Sequence, residues 1–384
     1  MRIAVVGAGV IGLLTAVECV RAGARVELVD RGAIPCPEAA SYDVHRVVRT
    51  LHRGDAALTR AAVRLPADWS QIERELGGDF RFLHRTGVLT SMGAPDARAE
   101  LALLAELGTE SRYVSAAQAA ERYPQVRLPA GMPAVFEPGA ATILADWALR
   151  AIADWLRARP AARLHPHRAV TAVHDDGAVH LADGGVLAAD AVVIAAGPWS
   201  RDLLPDGLGA RLTLKRQTML TYSPGMGRAA WDHCPAILGL GPGHDGWLIP
   251  PVAGSPARLS AASASRTVER MTDRETSTVW RDHLVARFRD RLADFDEALV
   301  TGSTEGYYLT DDQGPGPMLA ELGGPVLAYA ACGGMSFKFA PPVARALADR
   351  ALGRPPRPTG LDRVDRPHRP AMAGIDASAE RSTP

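Results

Sequence analysis

Lysine is almost absent from this chain: of its 43 basic residues only Lys215 and Lys338 are lysine, and arginine supplies the rest. A chain that writes generic surface charge as arginine marks any surviving lysine as a candidate for a task needing a compact ammonium. Net charge is missing too, because 43 acidic residues cancel the basic ones. With no basic run or aromatic-interleaved patch, nucleic acid is not expected as a partner. Cysteine is sparse, at Cys19, Cys36, Cys234 and Cys332, without CxxC or zinc-like spacing. That fits reduced thiols in a cytosolic protein and argues against a metal. The close pair His165 and His167 reads as exposed loop or strand edge. No segment approaches the ~18 uninterrupted apolar residues of a membrane span. A core strand stands where a secretory signal would be, so a cytoplasmic protein without a membrane partner is expected. Hydrophobic residues are plentiful, 47% of 384, enough for two lobes with separate cores.

The opening stretch organises the rest. Arg2 to Val6 is a short apolar run of the kind buried on both faces of a parallel sheet, and it leads into Gly7-Ala8-Gly9-Val10-Ile11-Gly12. In this GxGxxG, Gly7 permits a tight turn, Gly9 lets backbone amides approach a pyrophosphate, and Gly12 lets the following helix pack close. The phosphates then lie on the N-terminus of a helix predicted from Val10 to Ala22 and stopped by Gly23. A second strand, Arg25 to Val29, ends at Asp30, placed to hold a ribose hydroxyl. Strand, glycines, helix, strand and acid in this order predict dinucleotide binding, without deciding between FAD and NAD.

Further along, Arg46 and Arg49 flank an apolar pair, either on one helical face or on opposite faces of a strand. Helical spacing runs from Gly54 to Leu76, divided or kinked at Pro66. A strand is expected over Arg81 to Ser91, helices over Ala97 to Leu107, Ser115 to Arg122 and Asp146 to Arg159, and a hairpin joins Ala169–Val173 to Ala178–Leu181. A fully buried strand, Ala189 to Ala196, closes on Gly197-Pro198-Trp199-Ser200. The stretch Leu212 to Ser265 is mostly β, Val279 to Leu292 is amphipathic helix, and Gly302–Thr310 and Val326–Ala331 are strands. After Gly333-Gly334-Met335-Ser336-Phe337-Lys338-Phe339 a helix is predicted from about Pro341 to Gly353. The proline- and charge-rich segment 354–384 is expected to be poorly ordered. His45, His52 and His84 read as loop or surface histidines, and Cys332 as a small buried thiol.

The opening dinucleotide motif, the buried strand closing on Gly197-Pro198-Trp199-Ser200 and the Gly-Gly turn before the last helix together resemble the amine and amino-acid oxidase flavoprotein superfamily of D-amino-acid oxidase, glycine oxidase and monomeric sarcosine oxidase. Ser41-Tyr42-Asp43-Val44-His45-Arg46-Val47-Val48-Arg49 is similar to that family's segment near the flavin, His84-Arg85-Thr86-Gly87-Val88-Leu89 to the strand opening its substrate lobe, and Phe337-Lys338-Phe339 to a stretch beside the cofactor. The resemblance spans nearly the whole chain. It implies an α/β protein in which a Rossmann-like FAD-binding lobe (1–83, 146–210 and 326–353) is interleaved with an α+β substrate lobe built on an antiparallel sheet (84–145 and 211–325). FAD then displaces NAD as the expected ligand. Its contacts carry over to Gly7, Gly9, Val10, Ile11, Gly12, Asp30 and Arg31, to Ser41 and Arg46, to Val170, Ala196, Gly197 and Trp199, and to Gly333, Gly334, Met335, Ser336 and Lys338.

By the same resemblance Arg49 and Lys338 hold a substrate carboxylate, a sensible pairing of fork and point charge. Arg46 favours the anionic reduced flavin, and Tyr307 lines the amine pocket. Glu305 stands where sarcosine oxidases carry the cysteine attached to flavin, so FAD is expected to be non-covalent. Arg258 stands where a lysine assists oxygen activation, and Ala262 where a histidine lines the site. The implied reaction is hydride transfer from an amino-acid substrate to flavin N5, giving an imine that hydrolyses, with oxygen or another electron acceptor completing the cycle. Missing volume at Ala262 would suit an N-substituted glycine. A dehydrogenase using another acceptor, or a non-catalytic flavin-binding subunit, are the alternatives.

Overall fold

The computed structural model describes residues 1–224, 230–272, 274–314, 316–331, 333–361 and 364–365. Arg2–Val6 lies inside a seven-stranded sheet, between Ala191–Ile194 and Arg25–Val29, all parallel. Its position explains its composition: Ile3, Ala4 and Val5 are wholly buried, as a central parallel strand covered on both faces requires. Val326–Tyr329 and Ala162–His165 extend the parallel array on either side. Leu319–Gly323 adds an antiparallel strand beyond Val326–Tyr329, although the family resemblance assigns 211–325 to the other lobe. Ala162–His165 carries no readable signal because it is a half-exposed edge strand in which His165 pairs with Glu27 at 2.6 Å.

The helix Val10–Arg21 follows the first strand as expected and is buried on nearly every side. A methyl added at Gly12 would stand 1.8 Å from the Gly7 carbonyl oxygen, so only glycine permits this closeness of helix and turn. Gly7 itself has φ +100°, and a Cβ there would meet the Ala195 carbonyl at 2.5 Å. The expected long helix divides into Ala56–Ala62 and Leu65–Leu76, with Pro66 in the first turn of the second piece.

A nine-stranded sheet builds the second layer system. Its spine is the pairing of Leu212–Tyr222 with Val300–Asp311, antiparallel along almost their full lengths. Helix Thr278–Arg289 buries Leu284, Val285 and Phe288 into the same core as Leu220 and Leu259. The expected strand over Arg81–Ser91 is two: Leu83–His84 joins a small sheet with Ala141–Leu144 and His45–Val48, while Val88–Ser91 enters the large one. The break falls at Gly87, φ +70°, where a Cβ would strike the Phe136 ring at 2.6 Å.

The last helix is Ser336–Ala351, beginning earlier than predicted, with Pro341 and Pro342 inside it. Of the segment expected to be poorly ordered, residues 354–361 and 364–365 are tied down. Arg357 grips Asp349 at 2.7 Å, and Val364–Asp365 pairs with Leu319–Ala320. The remainder of that segment and Cys332 lie outside the described residues. Among those described, no helix is long and apolar enough to cross a membrane.

Gly12→Ala should therefore cost about 1–3 kcal/mol of stability, as overpacking in a close-packed core does, and strip the dinucleotide. The melting temperature and the dinucleotide content of the purified protein report both. Wild-type values for both would show that the helix has room to retreat.

Candidate active site

A cavity of about 350 Å³ opens at the carboxyl ends of the parallel strands. Its lining gathers Gly7, Gly9, Val10, Ile11, Asp30 and Arg31 from the first βαβ unit, and Ser41 from the loop beyond. Val170, Ala196, Gly197, Trp199 and Ser336 complete the expected contacts that reach it. The helix Val10–Arg21 presents its amide terminus here without a side-chain cap on Gly9; Ser41 Oγ accepts only the Val10 N–H, at 3.2 Å. Asp30 takes the Ala8 and Gly32 amides at 2.7 and 2.8 Å, and burial raises its carboxyl pKa against their pull. The Arg31 guanidinium lies over the Trp199 ring at 4.9 Å. Crowded glycines, uncapped amides and a cavity of this shape fit a dinucleotide. Gly12 acts behind the lining through its contact with Gly7. Gly333 and Gly334, at φ +53° and +80°, make the exposed turn that delivers Met335 to the start of the last helix, again without a side-chain cap.

A second cavity, about 650 Å³, adjoins the first at Ala39 and Ala40 and contains Arg46, Asp43 and Arg258. Asp43 bridges the two arginines, 2.5 Å from Arg46 and 2.9 Å from Arg258; burial pushes its carboxyl up, and the two charges overcome that and hold it below the usual range. Arg258 is almost wholly buried and also donates to Thr221 and Thr304, each at 2.6 Å. It is a fixed charge, with its Nη donors engaged. Arg46 donates in addition to the carbonyls of His45 and Ala40.

Arg49 and Lys338 come together in a third neighbourhood. Burial pushes the Lys338 ammonium well below the ordinary lysine range, and the Arg49 charge pushes it further. Burial lowers Arg49 as well. Arg49 Nη1 is fully buried and has no hydrogen-bond partner among the described residues. The nearby acid is Glu137, whose Oε1 accepts the Thr50 and Leu51 amides at 2.8 and 3.0 Å, leaving Oε2 buried and unpartnered. His52 completes the group. Its Nδ1 meets the Thr50 carbonyl at 2.8 Å, and Nε2 is buried without a partner. Sequence reasoning misses Glu137 because it ends an ordinary apolar strand, Ala134–Glu137; its only trace in the sequence is an acid breaking that run.

Several expectations need correction. His45 and His52 are buried, at 1% and 6% exposure, because strand His45–Val48 and the turn after it are covered by the loop at Ser255 and by Phe339. Burial drives their pKa values down to about 3 and about 2, so both are neutral in the folded protein. Tyr307 lines neither of the two cavities. Alternation along Val300–Asp311 turns it into the core, its hydroxyl bonded to Thr272 at 3.2 Å and its ring beneath Arg216 at 5.5 Å. Ala262 is exposed in a short 3₁₀ turn and lines neither cavity, so no missing imidazole enlarges a pocket there. Glu305 is buried, 3.0 Å from Arg266 and 3.2 Å from Arg216.

Residues 2–350 match the family described as FAD dependent oxidoreductase (DAO), and the chain belongs to that family. FAD is thus its cofactor. The chain is 27% identical over 258 residues to human peroxisomal sarcosine oxidase, covering 62% of this chain and 63% of that protein. It is 32% identical over 214 residues to glycine oxidase of Pseudomonas putida, covering 53% and 57%. The chain therefore spans less than two thirds of the length of these curated relatives. The fold is shared with glycine oxidase from Geobacillus kaustophilus, with a TM-score of 0.78 at 20% identity over 94% of this chain and 99% of that one.

The neutral histidines predict acid lability. Folded-state pKa values of about 3 and about 2 lie below the ordinary 6.5, so the unfolded chain binds protons that the folded one refuses. Stability is full above pH 6.5 and falls as pH drops below it, each histidine adding up to about 1.4 kcal/mol per pH unit. Melting curves between pH 7.5 and 5 should show this slope, and His45→Gln and His52→Gln should each flatten it. A pH-independent melt over that range would refute the assignment.

Proposed function

We propose that this protein oxidises a small amine bearing a carboxylate, with the carboxylate held between Arg49 and Lys338. One observation carries the reading: two half-buried cations lie near enough for the Arg49 charge to weaken the hold of Lys338 on its proton, and the Arg49 guanidinium Nη1 is itself fully buried and unpartnered among the described residues. An unsatisfied charged donor in such a place costs stability unless a ligand satisfies it, and a carboxylate matches a guanidinium fork and an ammonium together. Glu137 offsets part of the repulsion, its Oε1 taken up by the Thr50 and Leu51 amides.

Bound FAD supplies the two-electron acceptor; the chain's residues bind and orient. The substrate loses two electrons and a proton from the carbon next to nitrogen, and a further proton from nitrogen if it binds protonated. Water then adds to the resulting iminium, the protonated imine, and releases a protonated amine and a carbonyl compound. Neutral His52 leaves a bare Nε2 lone pair beside the clamp, able to accept an amine N–H. The names of the relatives, sarcosine oxidase and glycine oxidase, support glycine, N-methyl or N-substituted amino acids as the substrate class. Oxygen as the terminal acceptor, giving hydrogen peroxide, follows the same relatives.

An anaerobic screen tests this reading. Carboxylated amines, including glycine, sarcosine and longer N-alkyl glycines, should bleach the visible flavin bands, and air should restore them with peroxide release. Restoration by a dye but not by air identifies a dehydrogenase. No bleaching by any of them identifies a flavin-binding subunit without this activity.

Arg49→Ala and Lys338→Met should each raise the half-saturating substrate concentration about ten- to a hundredfold, the equivalent of roughly 1.5–3 kcal/mol for one charge-assisted contact, with FAD content unchanged. Unaltered concentration dependence in both would remove the clamp. Affinity should also weaken as pH rises through the depressed Lys338 pKa, because the neutral amine no longer attracts the carboxylate, and Lys338→Met should abolish that dependence.

FAD is held without a covalent bond at Glu305, whose carboxylate is committed to two arginines. Acid precipitation should leave yellow FAD in the supernatant; flavin carried into the pellet would contradict this.

A further inference from the structure

Lys338 stands in the first turn of helix Ser336–Ala351, and the same helix contains Pro342. A helical proline has no N–H for the carbonyl four residues before it, and for Pro342 that carbonyl is the one on Lys338. A buried carbonyl deprived of its donor needs another. Here the donor is the indole of Trp69, whose Nε1–H lies 3.0 Å from the Lys338 oxygen. Trp69 is fully buried, and its ring stacks on Phe337 with centroids 5.2 Å apart and planes 9° from parallel. Its own helix, Leu65–Leu76, is tied to the last helix a second time by Asp68 and Arg345 at 2.7 Å.

We propose that Trp69 is a positioning residue for Lys338, supplying the hydrogen bond that Pro342 removes and fixing the lysine through its backbone. The division of labour has a chemical logic. An ammonium held by a side-chain partner would be neutralised or turned away from the substrate, whereas one held by its carbonyl keeps its three donors free. Lys338 Nζ makes no ion pair among the described residues; the Phe339 ring lies 5.8 Å away. The inference rests on the reading of Lys338 as half of the carboxylate clamp.

Pro342 makes the idea testable by rescue. Trp69→Phe retains a ring for stacking and deletes the N–H, while Pro342→Ala restores a backbone donor to the Lys338 carbonyl. Anaerobic titration of the holoenzyme with sarcosine should show a half-saturating concentration raised about three- to tenfold in Trp69→Phe, with the reduction rate at saturation and the FAD content close to wild type. Pro342→Ala alone should behave nearly as wild type, and the double variant should recover most of the loss. The melting temperature of each holoenzyme should show the same coupling. An equal effect of Trp69→Phe with and without Pro342→Ala, or no effect in either case, would overturn the proposal. If Trp69→Phe does not fold, recovery of folding in the double variant supports it, and failure of both overturns it by showing that Trp69 acts through bulk alone. If Lys338→Met leaves sarcosine binding untouched, the clamp reading fails, while the coupling read by melting still decides whether Trp69 and Pro342 act on one carbonyl.

Discussion

Two like charges kept close together are the constraint to which much of this structure answers. Arg49 and Lys338 come from chain segments far apart in sequence, and beside burial it is the Arg49 charge that weakens the hold of Lys338 on its proton. Nothing intrinsic to either segment would bring them together. The arrangement persists because the backbone on both sides is fixed by groups that do not neutralise it: the Thr50 and Leu51 amides by Glu137, the Lys338 carbonyl by Trp69. On the proposed reading an anionic ligand would relieve that repulsion, which is how binding energy is stored in a preorganised site.

The cofactor side obeys a different rule. There the chain is shaped by what must be left out: side chains at Gly7 and Gly12, and a capping group at the start of Val10–Arg21. Backbone amides are left free to face the cavity, and the surrounding polar residues hold the loops. Asp43 illustrates the second role, joining Arg46 to Arg258 so that a pair of repelling cations becomes a compact group with a single net positive charge.

Local pattern carries far in the sequence where one segment determines the outcome. The strand Arg2–Val6, its glycines, the helix to Arg21 and Asp30 are legible because each step is set by neighbours in the chain, and the start of Leu212–Tyr222 follows from plain alternation. Lys338 stands out because lysine is rare here, and Arg49 because of the family resemblance. Illegible are the features that depend on what lies opposite. The burial of His45 and His52, the turning of Tyr307 into the core and the exposure of Ala262 are decided by partners from remote segments. Prolines mislead in a related way: Pro341 signals a helix start by its missing N–H, but a distant indole satisfies one of the carbonyls the prolines leave free and the helix begins earlier.

Glu137 lies at the end of a strand of the large sheet, yet its carboxylate holds the backbone immediately after Arg49, which continues from the small sheet. The two sheets are thereby pinned at one point. Any sliding of one over the other strains a 2.8 Å bond whose far end is the peptide next to Arg49. If Arg49 and Lys338 hold an anion as proposed, displacement between the layers and grip on that anion would be a single mechanical variable, and a force that opens the molecule would also loosen its hold.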